Sequence, residues 1–189
     1  MINRIQKITF LPKSFLCILE NTCSSILGKK VRFKYEKKSN IFIAFEGNKT
    51  RYFSNFERGT WLYRDGINLR SEFIFKSYCL QNLMFGSNDV IIDCGANLGD
   101  LSIKLYEICE TIKYIGIEPS PSDYELLTKN VNNESAHLLQ KALGNKNEKL
   151  KFYVCSEEGD PSLIEPPSYT HSIDVGVLTL ASLIDDLNI

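Results

Sequence analysis

Histidine is nearly absent from this chain: there are two, His137 and His171, in 189 residues. They stand far apart in the sequence. None of the six cysteines, Cys17, Cys23, Cys79, Cys94, Cys109 and Cys155, forms a C-x-x-C pair. Metal-ligand spacing is therefore missing, and no metal is expected. The thiols are expected to be reduced and mostly buried, as in a cytoplasmic protein. Long apolar runs are missing too. The stretch IQKITFLPKSFLCIL (5–19) is interrupted by Pro12 and Lys13, and no small-residue cleavage site follows it. That argues against a signal peptide. No run reaches the roughly 18 apolar residues that a transmembrane segment needs. Repeats and low-complexity tracts are absent, and a net charge of −1 gives no reason to expect a general nucleic-acid binder. A dinucleotide fingerprint is missing as well. Starting at Gly95, G-x-G-x-x-G needs glycine at 97 and 100, where the chain has Asn97 and Asp100. Asn97 would fill the space a pyrophosphate needs, and Asp100 would set a negative charge beside it.

What is present fits a globular chain of ordinary size, with 43% hydrophobic and 24% charged residues. Charge is unevenly spread. Residues 1–40 hold nine Lys/Arg and two Asp/Glu, a balance of +7, and the rest holds 13 and 21, a balance of −8. The basic start reads as an exposed face, with contact to an anionic membrane or polymer as the alternative.

Periodicity gives a coarse map. Residues 14–27 read as a short amphipathic helix, and KKVRFKYEKKSN as basic turn-like sequence. IFIAF (41–45) and TRYFSNF (50–56) flank EGNK as a β-hairpin. Residues 1–70 are expected to be an accessory section and 71–189 the main domain. SEFIFKSYCLQNLMF (71–85) is expected as a helix with Phe73, Ile74, Leu80, Leu83 and Met84 apolar. Val90, Ile91 and Ile92 then read as a strand covered on both faces. Leu98, Leu101, Leu105 and Ile108 fall at helical spacing. IKYIGIE (112–118) is a second strand. Residues 120–131 are a second helix, with Ser120 as cap, Pro121 in its first turn and Asp123 completing a capping box. AHLLQKAL (136–143) is a third strand and LKFYV (150–154) a fourth, either antiparallel or in an added hairpin. SEEGDPSLIEPPSYT (156–170) is a loop. IDVGVL (173–178) is a further strand, and Thr179 caps a last helix. Strands alternating with helices predict an α/β protein with a doubly wound parallel sheet.

The candidate site lies in DVIIDCGANLGD (89–100). Its pattern is D-x-G-x-x-x-G: Asp93, Gly95 and Gly99. Gly95 allows a sharp turn, and Gly99 lets the helix come close. Ligands of such sheets sit at the carboxyl ends of the strands, where Asp93, Gly95 and Glu118 fall. A carboxylate at the second strand end is placed to accept hydrogen bonds from ribose hydroxyls. Backbone N–H groups together with several carboxylates suit a ligand with a ribose, an ammonium and a carboxylate but no phosphate. S-adenosylmethionine is such a ligand. Cys94 has no base near it in sequence and reads as a packing residue rather than a nucleophile.

VIIDCGANLGDLSIKL, followed by YIGIEPSPSDYELLTKNV and ALGNKNEKLKFYV, resembles the FkbM family of S-adenosylmethionine-dependent methyltransferases over roughly residues 60–189. The ending V-x-TL-x-x-L-I-D-D is part of that resemblance. It implies a Rossmann-like class I methyltransferase fold and transfer of methyl groups to a hydroxyl oxygen of a glycan or small-molecule acceptor. It implies that Asp93, Gly95, Asn97 and Gly99 surround the methionine part of the cofactor, with Asp93 toward its ammonium. Glu118 would hold the ribose hydroxyls. Pro119 and Ser120 would flank the adenosine, and Ala142 and Leu143, at the end of the third strand, would lie near the adenine. It implies a further core strand beyond Ile189. On that ground the sheet is expected to be incomplete, the chain truncated, cofactor binding weak or absent, and the polypeptide prone to aggregate. No catalytic base is assigned: His171, Asp174, Asp185 and Asp186 match no trusted family position. The alternatives are a non-catalytic remnant or binding module and, disfavoured by Asn97 and Asp100, a nicotinamide-dependent oxidoreductase.

Overall fold

The computed structural model describes residues 11–154 and 162–189. Helices accompany three separate three-stranded sheets, and among the described residues no sheet closes into a barrel. The chain divides into two units, Met1–Arg70 and Ser71–Ile189.

The first unit begins with α1 (Lys13–Ile26). An antiparallel meander follows: β1 (Arg32–Glu36), β2 (Ile41–Glu46) and β3 (Lys49–Phe53). The expected hairpin is β2–β3, with Phe42 opposite Phe53. The basic stretch before it is not a turn but β1, paired with β2 along its length. Phe33 is 2% exposed there and Lys34 is exposed, so strand alternation operates inside a highly charged segment. The helix α2 (Phe56–Tyr63) is capped by Asn55, whose side chain accepts from the Arg58 N–H at 2.9 Å. An aromatic core results. Phe53 stacks on Phe42 at 5.7 Å and meets Tyr63 at 5.8 Å, while Gly59 of α2 leaves room for the Phe53 ring.

The orientation of α1 runs against the usual sense of an amphipathic helix. Its inward residues are Cys17 and Ser24, both buried, together with Asn21, which bonds the Phe33 N–H and C=O at 2.7 and 2.8 Å. Phe15, Ile18, Leu19 and Ile26 face outward.

The division between the units falls within α3 (Ile67–Ser77). This helix starts earlier than its pattern suggests because the Glu46 carboxylate accepts from the Ile67 and Asn68 N–H groups at 2.9 and 3.4 Å. It also ends earlier, at Ser77, and only a single 3₁₀ turn (Leu80–Asn82) follows. Leu83 and Met84 are exposed rather than core, whereas Phe75 is buried.

In the second unit β4 (Val90–Cys94), β5 (Lys113–Ile117) and β6 (Ala136–Leu139) are parallel, in that spatial order. The crossovers contain α4 (Asp100–Ile108) and α5 (Pro121–Asn130). Leu101, Leu105, Leu127 and Val131 bury one sheet face together with Tyr114. Ile115 and Ile117 point the other way and pack with Leu183 of α6 (Leu180–Leu187), which Thr179 caps through the Ser182 N–H at 3.1 Å. Helices thus cover both faces of β5. By contrast β4 lies at a sheet edge, and Val90, Ile91 and Ile92 are half-buried.

The expected third strand is in fact two. After Leu139 the chain leaves the parallel sheet, and β7 (Ala142–Leu143) joins a different one in the order β7-β9-β8. There β8 (Glu148–Val154) runs antiparallel to β9 (His171–Leu178). Of the expected loop after β8, residues 156–161 lie outside the described residues, and Ser162 makes an isolated bridge to Tyr153.

Candidate functional site

The residues from Asp93 to Gly99 form a tight link between β4 and α4. Three of them take left-handed backbone conformations: Gly95 (φ 80°), Asn97 (φ 50°) and Gly99 (φ 78°). Asparagine tolerates that region better than most residues. The two glycines serve different purposes. A Cβ on Gly99 would stand 2.4 Å from Val131 Cγ2 and 2.8 Å from Leu127 Cδ1, so the close approach is to α5. A Cβ on Gly95 would meet nothing within 4 Å, which leaves open space over the turn.

The N–H groups of the turn are already engaged. Those of Gly95 and Ala96 both donate to the Ile117 carbonyl at 2.9 Å, and that of Gly99 donates to the Ala96 carbonyl at 2.8 Å. The Asn97 N–H donates to Glu118 Oε2 at 2.9 Å. The expectation that this turn offers its N–H groups to a ligand is therefore corrected at these four positions. The strand end and the carboxylate of β5 use them to fix the loop. Those four donors are not available to cradle a pyrophosphate as the N–H groups of a dinucleotide loop are.

Glu118 is 5% exposed and holds two elements together. Its second oxygen accepts from the Ser120 N–H at 2.9 Å, at the start of α5. Asn97 is tied down again through its amide, which donates to Asp123 Oδ2 at 3.2 Å. Ser120 is the cap of α5, accepting from the Asp123 N–H at 3.4 Å, and Pro119 is half-buried beside it.

Asp93 ends the apolar part of β4, paired in register with Gly116. Tyr114, fully buried on the next strand, donates its hydroxyl to Asp93 Oδ2 at 2.6 Å. Burial raises the Asp93 pKa above the usual aspartate value, the Tyr114 hydrogen bond opposes that, and the Asp100 charge adds to it. A folded-state pKa above the unfolded one means that the native state holds the proton more tightly. Stability is then lost as pH rises from the ordinary aspartate range through the raised value. Asp93→Asn keeps an acceptor for Tyr114 and removes this loss. The variant is expected to melt above the wild type at neutral pH. That gain should vanish below the ordinary aspartate range, which thermal melts of both proteins between pH 3 and 8 would check.

The structure places Asp93, Gly95, Asn97, Gly99, Glu118, Pro119 and Ser120 in one neighbourhood at the carboxyl ends of β4 and β5. It does not place Ala142 and Leu143 at the end of the third strand, which closes at Leu139. Ala142 is buried in the core of the other sheet with Phe152, Val175 and Val177, and Leu143 packs toward Ile115, Ile117 and Leu183. The reason is pairing: β7 bonds β9, a partner some 35 residues further along the chain.

Cysteine burial also needs correcting. Cys23, Cys79 and Cys94 are exposed, Cys109 is half-buried and Cys17 alone of the five described is buried. Burial raises the Cys17 thiol to about 11. The Cys94 thiol is raised by partial burial and then by the Asp93 charge, which keeps it protonated and poorly nucleophilic. Sequence reading missed Tyr114 and Asp123. Both act across more than 20 residues, and only the inward strand position of Tyr114 could have hinted at it. No group of three or more His, Cys, Asp or Glu able to hold a metal occurs among the described residues. Among them, too, no helix is long and apolar enough to cross a membrane.

Comparison with protein-family models, with curated proteins and with solved structures finds no match to the chain.

Proposed function

We propose that the Ser71–Ile189 unit is a Rossmann-like, FkbM-type methyltransferase domain that binds S-adenosylmethionine and directs its methyl group to a hydroxyl oxygen of a glycan or small molecule. The observation that carries this reading is the β4–α4 turn. Its N–H groups at Gly95, Ala96, Asn97 and Gly99 are bound to protein acceptors, Asp93 and Glu118 stand at the strand ends, and a Cβ on Gly95 would meet nothing within 4 Å. Two carboxylates at the strand ends, with those four donors engaged, fit a cationic ligand without phosphate. Bound S-adenosylmethionine would supply an electrophilic methyl on a sulfonium.

The residues present would bind and orient. Asp93 would face the ammonium, and Glu118, at the end of the second strand, would accept from the ribose hydroxyls. The fixed loop would set the ligand's position before an acceptor arrives, and alignment supplies most of the catalysis in such a transfer.

Equilibrium dialysis with labelled S-adenosylmethionine, in competition with NADH, tests the reading. The expected result is weak, saturable retention of S-adenosylmethionine, at least tenfold stronger than that of NADH. Asp93→Asn should weaken retention tenfold or more even as it raises the melting temperature, a trade of stability for binding. Stronger retention of NADH would replace the reading with the oxidoreductase one. Retention without methyl transfer to any hydroxyl acceptor would favour a binding module.

A further inference from the structure

We propose that the first unit docks on an anionic membrane surface through the outward face of α1. On a helical projection Phe15, Leu19, Thr22 and Ile26 lie within one narrow stripe, with Ile18 at its margin. The stripe lies opposite the side that carries Cys17, Asn21 and Ser24. Ile18 is 58% exposed and Ile26 is 79% exposed. Asn21 and Ser24 thus turn toward the fold, while Phe15, Ile18, Leu19 and Ile26 face outward. Exposed apolar surface arranged in this way marks an interaction face.

Charge selects the occupant. Residues 1–70 hold 14 Lys/Arg and five Asp/Glu, a balance of +9, whereas residues 71–189 hold eight and 18, a balance of −10. From Lys13 to Leu27 the only acid is Glu20, which turns away from the stripe toward Arg64 at 3.7 Å. Lys30, just past the helix, is exposed, as are Lys34, Lys37 and Lys38 on and after β1. A second copy of this basic unit, placed face to face on the stripe, would bring like charges together. An anionic bilayer accepts both the apolar stripe and the cations. A short helix lying in the interface plane, with basic residues near it, is the usual form of such an anchor.

The test is co-sedimentation of the full chain with vesicles. Binding to phosphatidylcholine vesicles containing about 30% phosphatidylserine is expected to exceed binding to phosphatidylcholine alone tenfold or more. It should fall steeply between 0.1 and 0.5 M NaCl, because the charge attraction is screened. The double variant Ile18→Asp/Ile26→Asp changes two exposed positions. It is expected to melt as the wild type does and to bind at least tenfold less. Equal binding to both vesicle types, or undiminished binding by the folded double variant, would overturn the proposal. So would a lipid-free dimer that the double variant dissolves, which would assign the stripe to a second copy.

Discussion

Glu118→Ala is expected to cost about 3 kcal/mol, because two backbone N–H groups lose their acceptor and each orphaned buried donor costs roughly 1–3 kcal/mol. The donors are Asn97 N–H, in the β4–α4 turn, and Ser120 N–H, at the start of α5. In a chain of this size that loss corresponds to a fall in melting temperature of roughly 6–12 °C. Glu118→Gln should fall between the wild type and alanine. One amide oxygen replaces one carboxylate oxygen, and the NH₂ group opposes the other donor. If Glu118 were only a surface acid, alanine would change stability by less than about 0.5 kcal/mol. Chemical denaturation of the three proteins separates these cases.

Gly99→Ala and Gly95→Ala form the second test, and their difference is the informative quantity. Both glycines have φ near +80°, where a side chain costs roughly 1–2 kcal/mol. Only Gly99 adds a steric penalty, because its Cβ would overlap the side chains of Val131 and Leu127, both buried. Overpacking of that kind adds roughly 1–3 kcal/mol. Gly99→Ala should therefore lose about 2–5 kcal/mol and Gly95→Ala about 1–2 kcal/mol. Binding should show the reverse emphasis. A methyl on Gly95 enters the space proposed for the ligand, so this variant should stay folded and lose S-adenosylmethionine. Equal destabilisation by the two substitutions would contradict the packing described for Gly99.

The parts of this fold that were legible in the sequence share a physical basis. The β4–α4–β5–α5 segment carries a continuous apolar run, helical spacing and a cap in Ser120, all of them local signals. The parts that were not legible depend on distant partners. Arg32–Glu36 alternates in burial but is crowded with charge, and its pairing with β2 decides its conformation. The start of α3 is set by Glu46, some 20 residues earlier. The run AHLLQKAL is uniform enough to read as one strand, and only the pairing of Ala142 and Leu143 with β9 breaks it. At the site, the positions of Asp93, Gly95 and Glu118 followed from strand ends, but what binds each of them did not. That Tyr114 holds Asp93, and that Glu118 holds the loop, depends on neighbours 21 residues away in each case. The orientation of α1 was hidden for a related reason. A helical stripe shows that two faces differ, and packing decides which one turns inward.

The central claim is that the turn over Gly95 receives S-adenosylmethionine and not a dinucleotide. Its most direct test is an amide-resolved NMR titration of the folded chain, run in parallel with S-adenosylmethionine and with NADH up to millimolar concentration. The account predicts saturable shifts centred on Gly95, Asn97, Gly99 and Glu118 with S-adenosylmethionine, and none there with NADH. Shifts at that loop with NADH alone, or no shift at the loop with either ligand, would contradict it.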